Sequence, residues 1–115
     1  MLSAAEKVRL GARVAQEKKA EGVVIMDLQG LSTVADFFLV ASAQSTTQMK
    51  AIGEAIEQAL ESRGVRMLHS EGQPESGWLL LDYGEVVMHV FLERTRIFYA
   101  LEHLWGDAPL LSVEG

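Results

Sequence analysis

Two apolar runs, residues 78–83 and 86–92, are separated only by Gly84-Glu85. Runs this short do not make independent helices, and a two-residue link with Gly at its first position suits a tight hairpin, whose turn demands a positive φ there. If the link is the whole loop, residue 83 faces 86 and residue 78 faces 91. Side chains alternate along a strand, so Trp78, Leu80, Asp82, Val87, His89 and Phe91 share one face, and Leu79, Leu81, Tyr83, Val86, Met88 and Val90 share the other. The second set is an ordinary core face. The first mixes an indole, a carboxylate and an imidazole with aliphatic side chains, the composition of a docking surface with an aromatic anchor and charge to orient a partner. Each member also has a plainer reading: Trp78 as a large core side chain, His89 as a hydrogen-bonded structural group, Asp82 as a carboxylate serving the turn backbone.

The rest of the chain supplies layers for this hairpin. Ser3-Ala4-Ala5-Glu6 has capping-box spacing, and Val8, Ala12 and Ala15 recur at helical intervals, so a helix is expected over 3–20 with Gly22 as its stop. The β-branched run 23–26 reads as a strand ending near Asp27-Leu28, and 36–43 as a second. Ser45-Thr46-Thr47-Gln48 opens a second helix whose stripe is Met49, Ile52, Ile56, Ala59 and Leu60, closed by Gly64. Gly53 inside it costs about 1 kcal/mol relative to Ala, which marks a place of close packing. A short strand over 65–69, a polar loop over 71–77 and a last helix over 94–105, stopped at Gly106, complete the reading. The order α-β-β-α-β-β-β-α gives a single α/β domain over residues 1–107, with a mixed sheet of about five strands and helices packed on it, and a short C-terminal tail over 108–115.

Composition removes several classes of function. The chain has no cysteine, so disulfides, thiolate metal sites and cysteine nucleophiles are excluded. It carries a formal charge of −6, and the excess is local: residues 1–66 hold eight acids and eight bases, whereas residues 67–115 hold eight acids against Arg94 and Arg96 alone. Such a chain lacks the basic groove that phosphate neutralisation requires, so direct DNA binding is not expected, and a basic protein is the better partner. No apolar run approaches the ~18 residues of a membrane span, and the N-terminus lacks the features of a targeting segment, so a cytoplasmic protein without membrane contact is expected. There is no phosphate-binding glycine loop and no nucleophile elbow. His69, His89 and His103 show no metal-ligand spacing, and neither cofactor nor metal is expected.

Several spaced motifs carry a resemblance. Glu71-Gly72, Trp78, Leu81-Asp82-Tyr83-Gly84, Val87, His89-Val90-Phe91, Arg96, Phe98-Tyr99, Leu101-Glu102 and Leu104-Trp105, together with Asp27-Leu28-Gln29-Gly30-Leu31-Ser32 and Asp36-Phe37-Phe38 upstream, resemble the ribosomal silencing factor (RsfS, or iojap) family over residues 3–107. The resemblance implies a translational repressor without catalysis. Such a protein binds the large ribosomal subunit through its ribosomal protein number fourteen and sterically blocks joining of the small subunit when nutrients run short; organellar relatives act in ribosome biogenesis. It also implies a nucleotidyltransferase-like fold, and with it a rival enzymatic reading. That reading lacks its site: Asp27 is followed by Leu28-Gln29 and Asp82 by Tyr83-Gly84, so no Asp-x-Asp pair exists to hold metals, nor a Gly-Ser pair at a helix start. The candidate partner-binding set is Trp78, Leu80, Asp82, Tyr83, Gly84 and His89, with Trp78 and Leu80 as the apolar centre and Asp82 meeting Lys or Arg of the partner. Homodimerisation also fits the resemblance and could use the same face.

Overall fold

The hairpin folds back into the middle of a sheet that has six strands among the described residues, in the spatial order 69–71, 78–82, 86–92, 37–43, 21–27 and 110–111. The computed structural model describes residues 1–99 and 108–113. The elements are α1 (Ala4–Glu17), β1 (Glu21–Asp27), β2 (Phe37–Ala43), α2 (Thr46–Glu61), β3 (His69–Glu71), β4 (Trp78–Asp82), β5 (Val86–Leu92), α3 (Glu93–Tyr99) and β6 (Leu110–Leu111). Neighbouring strands are antiparallel except β2 and β5, which run parallel with Phe37 opposite Val86. A β-α-β crossover therefore joins β2 to β3, but the β4-β5 hairpin is inserted between those two strands. All seven residues of β2 and all seven of β5 are buried, as the central strands of a sheet covered on both faces must be.

Helices α1 and α2 lie on one face, where Val8, Ala12, Met49, Ile52, Ile56 and Leu60 meet Leu39, Leu81, Val86, Met88 and Val90. The helices run antiparallel: the Gln48 side chain at the start of α2 donates to the carbonyls of Lys18 and Lys19 at the end of α1, at 3.1 and 3.0 Å. The first capping box forms in full, with Ser3 and Glu6 bonding each other's backbone N–H. At the second, Ser45 caps the N–H of Gln48, but the Gln48 carboxamide accepts from the N–H of Gln44 instead of closing the box. Gly53 is buried where expected, for a Cβ there would lie 2.6 Å from Cδ2 of Leu79. On the opposite face Met26, Leu28, Phe38, Val40, Val87 and Phe91 form a second apolar cluster.

Several boundaries differ from expectation, each for a local reason. Helix α1 stops at Glu17 because Lys19, with φ 68°, takes the left-handed position expected of Gly22. Gly22 instead sits inside β1 at a register shift, with φ 56°, where the Arg96 guanidinium donates to its carbonyl at 2.6 Å. The third strand covers 69–71 in place of 65–69, because the N–H of Val65 turns back to the Leu60 carbonyl at the end of α2 and pairing with β4 starts only after it. The sheet has six strands because Leu110–Leu111, expected in a tail, pairs with Met26 and Ile25. The last helix begins at Glu93, and its expected continuation through Leu101, Leu104 and Trp105 to Gly106 lies outside the described residues. Among the described residues no helix is long and apolar enough to cross a membrane.

Candidate docking face

Hairpin β4-β5 has the register that a two-residue loop demands. Trp78 pairs with Phe91, Leu80 with His89 and Asp82 with Val87, and Gly84 turns with φ 88°. Alternation then puts Trp78, Leu80, Asp82 and His89 on the face opposite α1 and α2.

On that face the aromatic rings form a connected stack. The Trp78 ring lies 5.5 Å from Phe91 at 19° and 5.9 Å from His89 at 25°, and Phe38 meets His89 edge-on at 4.6 Å. The indole N–H of Trp78 donates to Nδ1 of His89 at 3.1 Å. Because Nδ1 accepts, the proton of a neutral imidazole sits on Nε2, which is buried and has no hydrogen-bond partner among the described residues. Burial disfavours the imidazolium and lowers the His89 pKa to about 4. His89 is 3% exposed, so its side chain offers almost no surface to a partner, while its ring supports Trp78. Trp78 and Leu80 are only half-buried, and with Glu71, Gly72 and Ser76 they line a hollow of about 260 Å³.

Asp82 makes the turn contact expected of it and an ion-pair contact within the sheet. One oxygen accepts from the Gly84 N–H at 2.8 Å and steadies the turn, while the other lies 3.3 Å from Nδ1 of His69. His69 also lies 3.5 Å from Glu71, so the β3 edge beside Trp78 carries two carboxylates around one imidazole. Tyr83 does not join this group. It is 5% exposed on the helix-covered face, its hydroxyl has no hydrogen-bond partner among the described residues, and burial, reinforced by Glu57 and Glu61, raises its pKa to about 12. Gly84 is a turn residue. Of the six candidate residues the fold thus brings together Trp78, Leu80, Asp82 and His89, leaves Tyr83 in the core and gives Gly84 a backbone role.

Ser76, which lines the hollow, and its neighbour Gly77 stood out in the sequence only as part of a polar loop. The Ser76 hydroxyl donates to the Gln73 carbonyl at 2.7 Å, and a Cβ on Gly77, whose φ is 80°, would run into Oγ1 of Thr95. Gly72, with φ 94°, is equally constrained, since a Cβ there would strike the carbonyl oxygen of Trp78. The only sequence signal was the pair of glycines bracketing a polar loop. Among the described residues no cluster of His, Asp and Glu could hold a metal ion.

The family profile described as ribosomal silencing factor during starvation matches residues 2–115. The chain belongs to the ribosomal silencing factor family. It is 39% identical to ribosomal silencing factor RsfS of Halalkalibacterium halodurans over 99% of this chain and 97% of that one. Identity to the Bacillus subtilis RsfS is 38%, covering 93% and 91% of the two chains. A chloroplastic Iojap protein of Arabidopsis thaliana shares 36% identity over 89% of this chain and 42% of its own length. Among solved structures, a protein of Chromobacterium violaceum superposes with TM-score 0.87 at 30% identity, covering 91% of this chain and 88% of that one. A Bacillus halodurans protein gives 0.77 at 35% identity, covering 90% and 93%. The silencing factor relatives are named for a regulatory role, and the names indicate no catalytic activity.

Proposed function

We propose that this chain is a cytoplasmic translational repressor that docks on the large ribosomal subunit through its ribosomal protein number fourteen and sterically prevents the small subunit from joining. Membership of the silencing factor family supports the ribosomal role. The observation that carries the docking mode is Trp78: a half-exposed indole held by two ring contacts and a hydrogen bond to His89, beside Leu80 and the acids Asp82 and Glu71. An anchor already held in place loses little rotamer freedom on binding, so more of its buried area appears as affinity. Acidic neighbours steer the face towards a basic ribosomal protein and away from bare RNA.

Sedimentation of the purified protein with separated subunits, followed by addition of the missing subunit, tests the proposal. Co-migration with the large subunit alone and loss of joining are the expected results. Absence of co-migration, or joining unaffected by saturating protein, would overturn it. The same gradients run without subunits report whether the chain forms a homodimer.

A further inference from the structure

A concavity lies on the other face of the hairpin from Trp78. It is a cleft of about 530 Å³ between α2 and the β3 side of the sheet, with Met67, Leu79 and Leu81 as its apolar lining. Gly53 of α2 also lines it, and the absence of a side chain there leaves room for Leu79. Around the mouth stand Glu54, Glu57 and Glu75 against Lys50. Alongside runs β3, the terminal strand of the described sheet, all three of whose residues are exposed.

We propose that this cleft takes an extended basic segment of a large-subunit protein, which adds to β3 as a further strand. Two independent features select that occupant. A terminal strand offers backbone N–H and C=O groups that only another extended chain satisfies in register, and alternate side chains of that chain would fall into the apolar cleft. The three glutamates around one lysine favour Lys or Arg on the incoming segment. A second copy of this chain is the poorer occupant, because pairing β3 with β3 would bring both sets of glutamates together.

Strand β3 spans only three residues, roughly 10 Å, so strand addition by itself is weak. Its value lies in being second. Trp78 and Leu79 point to opposite faces of β4, and β3 is the edge between those faces. A partner seated on Trp78 that sends an extended segment around this edge makes the cleft contact at high effective concentration. The inference rests on the large-subunit reading above and adds a second contact to it.

The test compares wild-type protein with two variants, using purified large subunits as the probe and reading both affinity and amide hydrogen exchange. Glu54→Lys combined with Glu75→Lys, both on exposed positions, should weaken binding about tenfold while thermal melting is unchanged. Lys50→Glu should tighten binding severalfold. Amides of residues 69–71 should exchange more slowly in the wild-type complex than in the free protein. If wild type does not bind subunits, the ribosomal reading fails and the cleft proposal with it. If wild type binds but the charge variants bind equally and β3 gains no protection, the cleft proposal alone fails. Concentration-dependent protection of β3 in the absence of subunits would assign the edge to a second copy and overturn it as well.

Discussion

The indole N–H of Trp78 donates to the ring nitrogen of His89 across the β4-β5 pair, so the most exposed aromatic of the hairpin is held by its most buried polar side chain. This bond links a part of the sheet face that is core, around His89, to a part that is only half-buried, around Trp78.

Replacing Trp78 with Ala should remove the apolar centre of the contact. Truncation of such an anchor costs about 2 kcal/mol or more, near thirtyfold in affinity for the large subunit. The variant should still melt cooperatively, because the Trp78 side chain is only half-buried, outside the fully buried core. Global unfolding, or unchanged co-sedimentation, would return Trp78 to the core.

Tyr83→Phe should behave in the opposite way. Its hydroxyl is buried under α2 with no hydrogen bond among the described residues, and removing such a group is neutral or stabilising. Denaturant unfolding should show equal or higher stability, and binding to subunits should not change. A loss of binding would mean that Tyr83 reaches the partner after all.

His89 makes stability depend on pH. Its folded pKa, lowered to about 4 by burial, lies below the unperturbed value of 6.5. Between those values the unfolded chain binds a proton that the folded chain refuses, so stability rises with pH across this window and falls as acid is added. The span corresponds to roughly 3 kcal/mol lost between pH 6.5 and 4. Urea unfolding from pH 7 to 4 should show a steeper decline for wild type than for His89→Phe, which keeps a ring in the stack and has no proton to gain. Parallel curves would argue against a buried neutral imidazole.

Gly72→Ala should destabilise through the backbone. Its φ of 94° is costly for a residue with a side chain, and the added Cβ would meet the Trp78 carbonyl oxygen, which cannot rotate away. A loss of about 1–3 kcal/mol is expected, together with a change in Trp78 fluorescence. Gly30→Ala has a similarly positive φ of 79° but open space around it, so it should cost less and leave Trp78 undisturbed.

Local chemistry made much of this protein legible from its residues alone. The hairpin register followed from a two-residue link with Gly first, and the two faces of β4 and β5 followed from the register. Helix α2 was legible from its cap and stripe, and the close packing at Gly53 from the energetic penalty of a glycine in that position. Family membership was legible too, because its motifs are spaced along the hairpin and its flanks. These features depend on neighbours in sequence, or on a loop too short to allow alternatives.

What tertiary structure decided is what depends on contacts between distant segments. Sequence cannot say that β2 pairs with β5 in parallel, that Gly22 serves a bulge against Arg96, or that Leu110–Leu111 adds a sixth strand, because each requires a partner dozens of residues away. The same limit applied to the site. Trp78, His89 and Tyr83 all read as candidate contacts along the chain, yet burial divides them into a half-buried indole, a hidden support beneath it and a core residue on the other face. Which side of a strand meets water is set by where the helices pack, and that is a property of the assembled fold.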